Sequence, residues 1–177
     1  MKYCKFLLIA VLSIFIVSCG SPKNIKDSSS LSAYQFKKDT AKTYFNILQI
    51  NDVYEIAPIQ GGKFGGMARV ETVRQNLLKE DKNTMTVLAG DFLNPSLIGT
   101  MKVDGERVRG KQMVEVMNAM DFDVVAFGNH EFDLSYTSLQ DRLNESKFDW
   151  ISANTLHNKD GKHHYFHKVV NGKKENL

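Results

Sequence analysis

Three short apolar runs, each ending in a polar junction at nearly equal intervals, constrain this chain more than any other feature. Phe45–Ile50 runs into Asn51-Asp52, Thr84–Ala89 into Gly90-Asp91, and Asp123–Phe127 into Gly128-Asn129. Asp52, Asp91 and Asn129 therefore stand 39 and 38 residues apart. Such an interval holds one strand, one helix and their loops, the unit of a parallel sheet, and it lines up the carboxyl ends of successive strands. Helical spacing fills the intervals: Met67, Val70, Val73 and Leu77 after Gly65-Gly66; Met113, Val116, Met117 and Met120 after Gly110; Leu139 and Leu143 after Asp133. These side chains are expected to line the sheet. A fourth strand over Trp150–Ala153 gives the order βαβαβαβ, and the expected class is α/β, a parallel layer covered by helices.

The third junction carries the densest chemistry. Gly128-Asn129-His130-Glu131-Phe132-Asp133 presents an amide, an imidazole and two carboxylates at a strand's carboxyl end, where open α/β sheets place their ligands. Asn129 offers a neutral oxygen to a hard metal, His130 a titratable donor, and Asp133 a carboxylate able to orient it. Any one strand–Asp junction is ordinarily a turn or helix N-cap. Three in register, with the Asn-His pair, favour an oxygen-rich pocket whose converging carboxylates need a cation.

Asn51-Asp52, Gly90-Asp91 and the hexapeptide from Gly128 to Asp133 resemble the first three motifs of the calcineurin-like metallophosphoesterases. The Glu131-Phe132-Asp133 ending is similar to the 5′-nucleotidase branch, and the resemblance covers residues 44 to about 170. It implies the start of a layered metallophosphoesterase sandwich and two divalent metal ions (Mn, Mg, Ca, Zn or Fe). Asp91 would bridge the metals, Asp52 would bind one and Asn129 the other. His130 would stabilise the phosphoryl transition state or protonate the leaving oxygen, with Asp133 holding the imidazole. The implied reaction is hydrolysis of phosphate esters, with nucleoside monophosphates as leading substrates.

Two departures from that pattern stand out. The first motif is usually Asp-x-His, but the position two after Asp52 is Tyr54. Tyr54 can ligate as a phenolate, Glu55 can reach in instead, or water can fill the place; packing of Tyr54 against the loop is the favoured reading. The family's further ligands are downstream histidines ending in a Gly-His-x-His motif, and no such motif precedes Leu177. The last segment, Tyr165–Lys174, reads as a hairpin turning at Asn171-Gly172, with a return strand that runs into Glu175-Asn176-Leu177 rather than apolar residues. An incomplete catalytic domain is therefore expected.

The amino terminus speaks to compartment. Lys2 and Lys5 precede a short apolar run, Phe6–Val17, too short to span a bilayer but suited to a signal-peptide core. Ile16-Val17-Ser18-Cys19 resembles a bacterial lipoprotein cleavage box. The expected organisation is a signal peptide over 1–18, a lipidated Cys19 opening a polar tether over 19–43, and the start of the catalytic domain over 44–177. The membrane is then a partner through the lipid, on the periplasmic or surface side of the cell envelope. With Cys4 lost in the leader, no thiol remains for a disulfide. The formal charge of +3 includes Lys2 and Lys5; without them almost no net charge or basic stripe remains, and nucleic acid is not an expected partner.

Other signals weigh less. Gly61-Gly62-Lys63-Phe64-Gly65-Gly66 lacks the ending of a phosphate-binding P-loop and reads as a flexible loop, with Arg69 at the surface beyond it. His157, His163, His164 and His167 cluster late in the chain and read as solvated loop histidines rather than replacement ligands. Two rival readings stand beside the hydrolase: a catalytically inactive lipoprotein fragment, and a nucleotide- or flavin-binding α/β module without metal.

Overall fold

The computed structural model describes residues 39–170 and 173–176. Two compact units divide the chain, Met1–Lys42 and Thr43–Leu177, and the fold is that of the second. The expected leader, Cys19, most of the expected tether and the expected Asn171-Gly172 turn lie outside the described residues. In chain order, β1 (Asn46–Ile50) leads to α1 (Met67–Glu80) and β2 (Thr84–Ala89). A short helix α2 (Leu97–Thr100), strands β3 (Lys102–Val103) and β4 (Glu106–Arg107), and helix α3 (Lys111–Ala119) precede β5 (Val124–Ala126). A 3-10 turn over His130–Asp133 and helix α4 (Tyr136–Glu145) lead to β6 (Asp149–Ile151). Then come β7 (Leu156–Lys159), β8 (Lys162–Tyr165), β9 (His167–Val170) and β10 (Lys173–Asn176).

β1, β2, β5 and β6 form one parallel sheet in that order, so the expected α/β class and strand sequence hold. Register puts Ile50 beside Leu88, Leu88 beside Val125, and Val125 beside Trp150. Those residues share one face, and Leu88, Val125 and Trp150 are buried there with Met67, Met113, Met117, Leu139 and Leu143 of the helices. Each such side chain contributes roughly 1.5–3 kcal/mol by leaving water. The alternate face carries Ile47, Met85 and Ile151, exposed by 58%, 46% and 55%.

Several expectations change in detail. β5 is shorter than the apolar run; just before it, the Asp123 carboxylate accepts the Thr86 backbone N–H at 2.7 Å. β6 ends at Ile151. Val73, expected to line the sheet, is 48% exposed. Arg74 takes the inward place instead, its side chain 11% exposed, paired with Glu71 and donating to the Asp121 carbonyl. The β3–β4 hairpin within the second crossover was not anticipated. Its signal was present in Asp104-Gly105, both at positive φ (52° and 88°), as a two-residue hairpin turn requires. β9 and β10 pair antiparallel with Val170 opposite Lys173, so the polar return strand forms.

Candidate metal and catalytic site

The site is built where β1, β2 and β5 end. Asp52 and Asp91 both adopt left-handed backbone (φ 55° and 61°), a conformation disfavoured for residues with a Cβ and concentrated at functional turns. The Asp52 N–H donates to the Gly90 carbonyl at 3.2 Å, which joins the first two junctions. The second and third meet through glycines. A Cβ on Gly90 would stand 2.5 Å from Gly128 N, and one on Gly128 would stand 2.5 Å from Asp91 N and collide with Asp91 Oδ1. Only hydrogen fits between these loops.

That closeness lets the His130 backbone N–H donate to Asp91 Oδ1 at 2.9 Å. The imidazole Nδ1 of His130 lies 2.7 Å from Asp133 Oδ2, the pairing expected from the sequence. Both are partly open to solvent, at 38% and 49% of their side-chain surface. The hydrogen bond to Asp133 raises the pKa of His130 despite some desolvation, with Asp133, Asp91 and Glu131 adding their charges. Asp133 is lowered in turn, first by His130 and then by the amide of Asn94, which donates to the same Oδ2 at 3.1 Å. With Nδ1–H committed to Asp133, Nε2 is the nitrogen left for a substrate.

Tyr54 stands against Asp52 and His130. Its hydroxyl donates to Asp52 Oδ1 at 3.2 Å and its ring meets His130 edge-on, 5.9 Å between centroids. Partial burial, the charge of Asp91 and the bond to Asp52 push the phenol up to about 12. Glu55 does not reach in; its carboxylate accepts the Leu97 N–H at 2.9 Å, at the start of α2. Asn51 donates to the other oxygen of Asp52 at 2.5 Å.

The residue that sequence reasoning passed over is Glu131. It is fully buried. Its Oε1 accepts the N–H of Phe92 at 2.8 Å and of Leu93 at 3.2 Å; its Oε2 accepts those of Asp91 at 2.9 Å and Gly128 at 2.6 Å.

The glycine loop is better ordered than a flexible segment. Ile59 and Phe64 bridge across it, and exposed Arg69 donates to the carbonyls of Gly65 at 2.9 Å and of Gly62. The late histidines sit on the β7–β8 hairpin and β9 rather than on a loop, with His163 and His164 exposed as expected. His157 stacks on Tyr136, 4.1 Å between centroids, and half-buried His167 has its pKa lowered by burial and then by Lys174.

Asp52, Asp91, Asn129, His130 and Asp133 thus converge on one loop cluster. Among the described residues, no group of three or more His, Cys, Asp or Glu side chains is placed to hold a metal. Asn129 is an amide, and the two aspartates are the only acids of the expected ligand set. The donor chemistry fits a hard divalent ion: Asp91 keeps Oδ2 clear of hydrogen bonds among the described residues, and Asp52 is an exposed carboxylate beside it. It fits a partial coordination shell rather than two full ones.

Comparison with known proteins accords with this geometry. Human 5′-nucleotidase is 34% identical over 91 residues, 51% of this chain and 15% of that protein. A Haemophilus influenzae 2′,3′-cyclic-nucleotide 2′-phosphodiesterase/3′-nucleotidase is 30% identical over 107 residues, 59% of this chain and 16% of that protein. The chain therefore spans about a sixth of the length of the curated relatives it matches. The crystal structure of a 5′-nucleotidase precursor from Thermus thermophilus superposes with a TM-score of 0.55 at 26% identity, covering 73% of this chain and 27% of that one. With the calcineurin-like phosphoesterase family model matching residues 45–175, the chain belongs to that family.

Proposed function

We propose that this chain is the amino-terminal part of a metal-dependent phosphoester hydrolase acting on nucleoside monophosphates. The observation that carries the reading is the convergence of Asp52, Asp91 and Asn129 beside the His130–Asp133 pair, 2.7 Å apart. The named activities of the relatives support the substrate class. Asp52, Asp91 and Asn129 would hold the two divalent ions, with Asp91 shared. Such ions neutralise phosphate oxygens and make water nucleophilic at neutral pH.

The chain's own residues supply the remainder. The hydrogen bond to Asp133 favours the charged imidazole of His130, which places a proton and a positive charge where the leaving oxygen develops negative charge. Asn94 holds Asp133 from the far side, so the imidazole plane is fixed by two contacts in series. The family resemblance implies further histidine ligands of a Gly-His-x-His motif beyond the set that Asp52, Asp91 and Asn129 supply. Cys19 carries the lipid that tethers the domain to the bacterial envelope, a reading supported by Ile16-Val17-Ser18-Cys19 and the apolar run before it.

The test joins this chain to the histidine-bearing part of a related 5′-nucleotidase and assays nucleoside monophosphate hydrolysis by the extended protein with Mn²⁺. The extended protein should turn over and lose activity with Asp91→Asn. An extended, folded protein inactive on every phosphate ester, with any divalent ion, would refute the reading. A second reading, a weakly metal-binding fragment without turnover, applies to the 177-residue chain taken alone, because Tyr54 occupies the place of a metal-binding His.

A further inference from the structure

We propose that Glu131 is the positioning residue of this centre, setting the place of Asp91 relative to Asn129. Four backbone N–H groups converge on its two carboxylate oxygens at 2.6–3.2 Å. Three come from the loop after β2 (Asp91, Phe92, Leu93) and one from Gly128, after β5. Those two loops carry one expected metal-binding side chain each, Asp91 and Asn129. A single buried side chain therefore fastens together the two strand ends that must hold a shared ion.

The geometry of the contact suits a side chain that accepts at both of its polar atoms. Four donors need acceptors on both oxygens, and only a carboxylate is acceptor-only at both ends. An amide of the same shape would turn its NH₂ toward two N–H groups, leaving buried donors facing donors. Glu131 is 0% exposed and has no Lys or Arg partner among the described residues, so the four oriented N–H groups are its direct polar partners. Those same bonds hold Asp91 in its left-handed conformation (φ 61°), and Asp91 Oδ1 then takes the His130 N–H at 2.9 Å. The result is an Asp91 carboxylate fixed by the protein before any ion binds, as metal ligands commonly require.

This inference rests on the metal-dependent reading above. The test is a Mn²⁺ titration of the full chain, read by electron paramagnetic resonance of the free ion, for wild type, Asp91→Ala, Glu131→Gln and Glu131→Asp. Amide hydrogen exchange of the metal-free wild type accompanies it. Glu131→Gln should weaken Mn²⁺ binding roughly 10–100-fold while keeping the near-ultraviolet circular dichroism of buried Trp150. Glu131→Asp, which keeps both oxygens one methylene short, should lose less. The amides of Asp91, Phe92, Leu93 and Gly128 should exchange as slowly as those of β2 without metal. Unchanged Mn²⁺ affinity in folded Glu131→Gln overturns the proposal, and so does fast exchange at those four amides, even where the variant does not fold. Failure of wild type to bind Mn²⁺ better than Asp91→Ala sinks the metal reading as well; Asp91-dependent binding indifferent to Glu131 sinks the positioning role alone.

Discussion

Tyr54 donates its phenolic hydrogen to Asp52 Oδ1 across 3.2 Å, and so occupies the flank of Asp52 where the related Asp-x-His pattern supplies a metal-binding imidazole. Hydrogen-bonding to a ligand is a different role from ligation. It orients the carboxylate and competes mildly for one of its lone pairs. Tyr54→His should therefore add a nitrogen donor to an otherwise oxygen-only set and tighten Zn²⁺ binding about tenfold or more, since imidazole suits zinc better than carboxylate or amide oxygen. Tyr54→Phe should change affinity little. Calorimetry on both variants decides this; Zn²⁺ affinity that stays at the wild-type level in Tyr54→His would show that position 54 faces away from the ion.

On the proposed ligand set, the wild-type chain should prefer Mn²⁺, Mg²⁺ or Ca²⁺ to thiophilic ions, and should bind them weakly, because Asp52, Asp91 and Asn129 offer hard oxygen donors and few of them. Asp91→Ala should abolish binding. Tight Zn²⁺ binding indifferent to that substitution would contradict the assignment.

The His130–Asp133 contact predicts a graded kinetic pattern in the extended protein. His130→Ala should lower kcat on the order of 10²–10⁴-fold with a small effect on KM. Asp133→Asn should cost less and Asn94→Ala less again, since each acts through the residue before it. The Asp133/His130 double variant should fall short of the product of the single losses. Steady-state kinetics on the four proteins would expose independent, multiplicative losses if the relay were absent.

Gly128 is held to hydrogen by its neighbour. A methyl group there collides with the carboxylate of Asp91, and relief requires the loops after β2 and β5 to separate. Gly128→Ala should destabilise the fold by roughly 1–3 kcal/mol in urea melts and weaken Mn²⁺ binding more than the stability loss implies. Gly161→Ala is the control, because a Cβ at Gly161 meets nothing within 4 Å; its positive φ leaves only a backbone cost. Equal Mn²⁺ affinities in the two variants would rule out a steric role for Gly128.

Cys19→Ala tests the anchor. Lipoproteins carry several acyl chains, and a single chain holds poorly, so the wild type should fractionate firmly with membranes. The variant should accumulate uncleaved or mislocalised; normal processing and membrane retention in its absence would dispose of the lipid.

What was legible in the sequence was local. Strand runs ending in Asp52, Asp91 and Asn129, helical spacing from Met113 to Met120, and the i, i+3 closeness of His130 to Asp133 all follow from backbone periodicity and short-range geometry. The parallel order of β1, β2, β5 and β6 follows from the interval between them. The misses were of two kinds. Val73 was misplaced because one step on a helix face decides between sheet and solvent, and Arg74 satisfied its charge on Glu71 and Asp121. The β3–β4 hairpin was signalled by Asp104-Gly105 and overlooked.

The other features were not in the local pattern. Glu131 reads as one more acid in a polar hexapeptide, and nothing near it in sequence except Gly128 shows that its donors are Asp91, Phe92 and Leu93. Asn94 reads as a loop amide until Asp133 comes within 3.1 Å, and Glu55 as a spare ligand until it meets the N–H of Leu97. The sequence alone determined which side chains stand at the strand ends, because strand, turn and helix are set by neighbours a few residues apart. Only the tertiary structure decided which carboxylate faces outward for chemistry and which is buried to hold the loops, because the N–H groups that satisfy Glu131 come mostly from another strand end, and a carboxylate goes wherever its donors are.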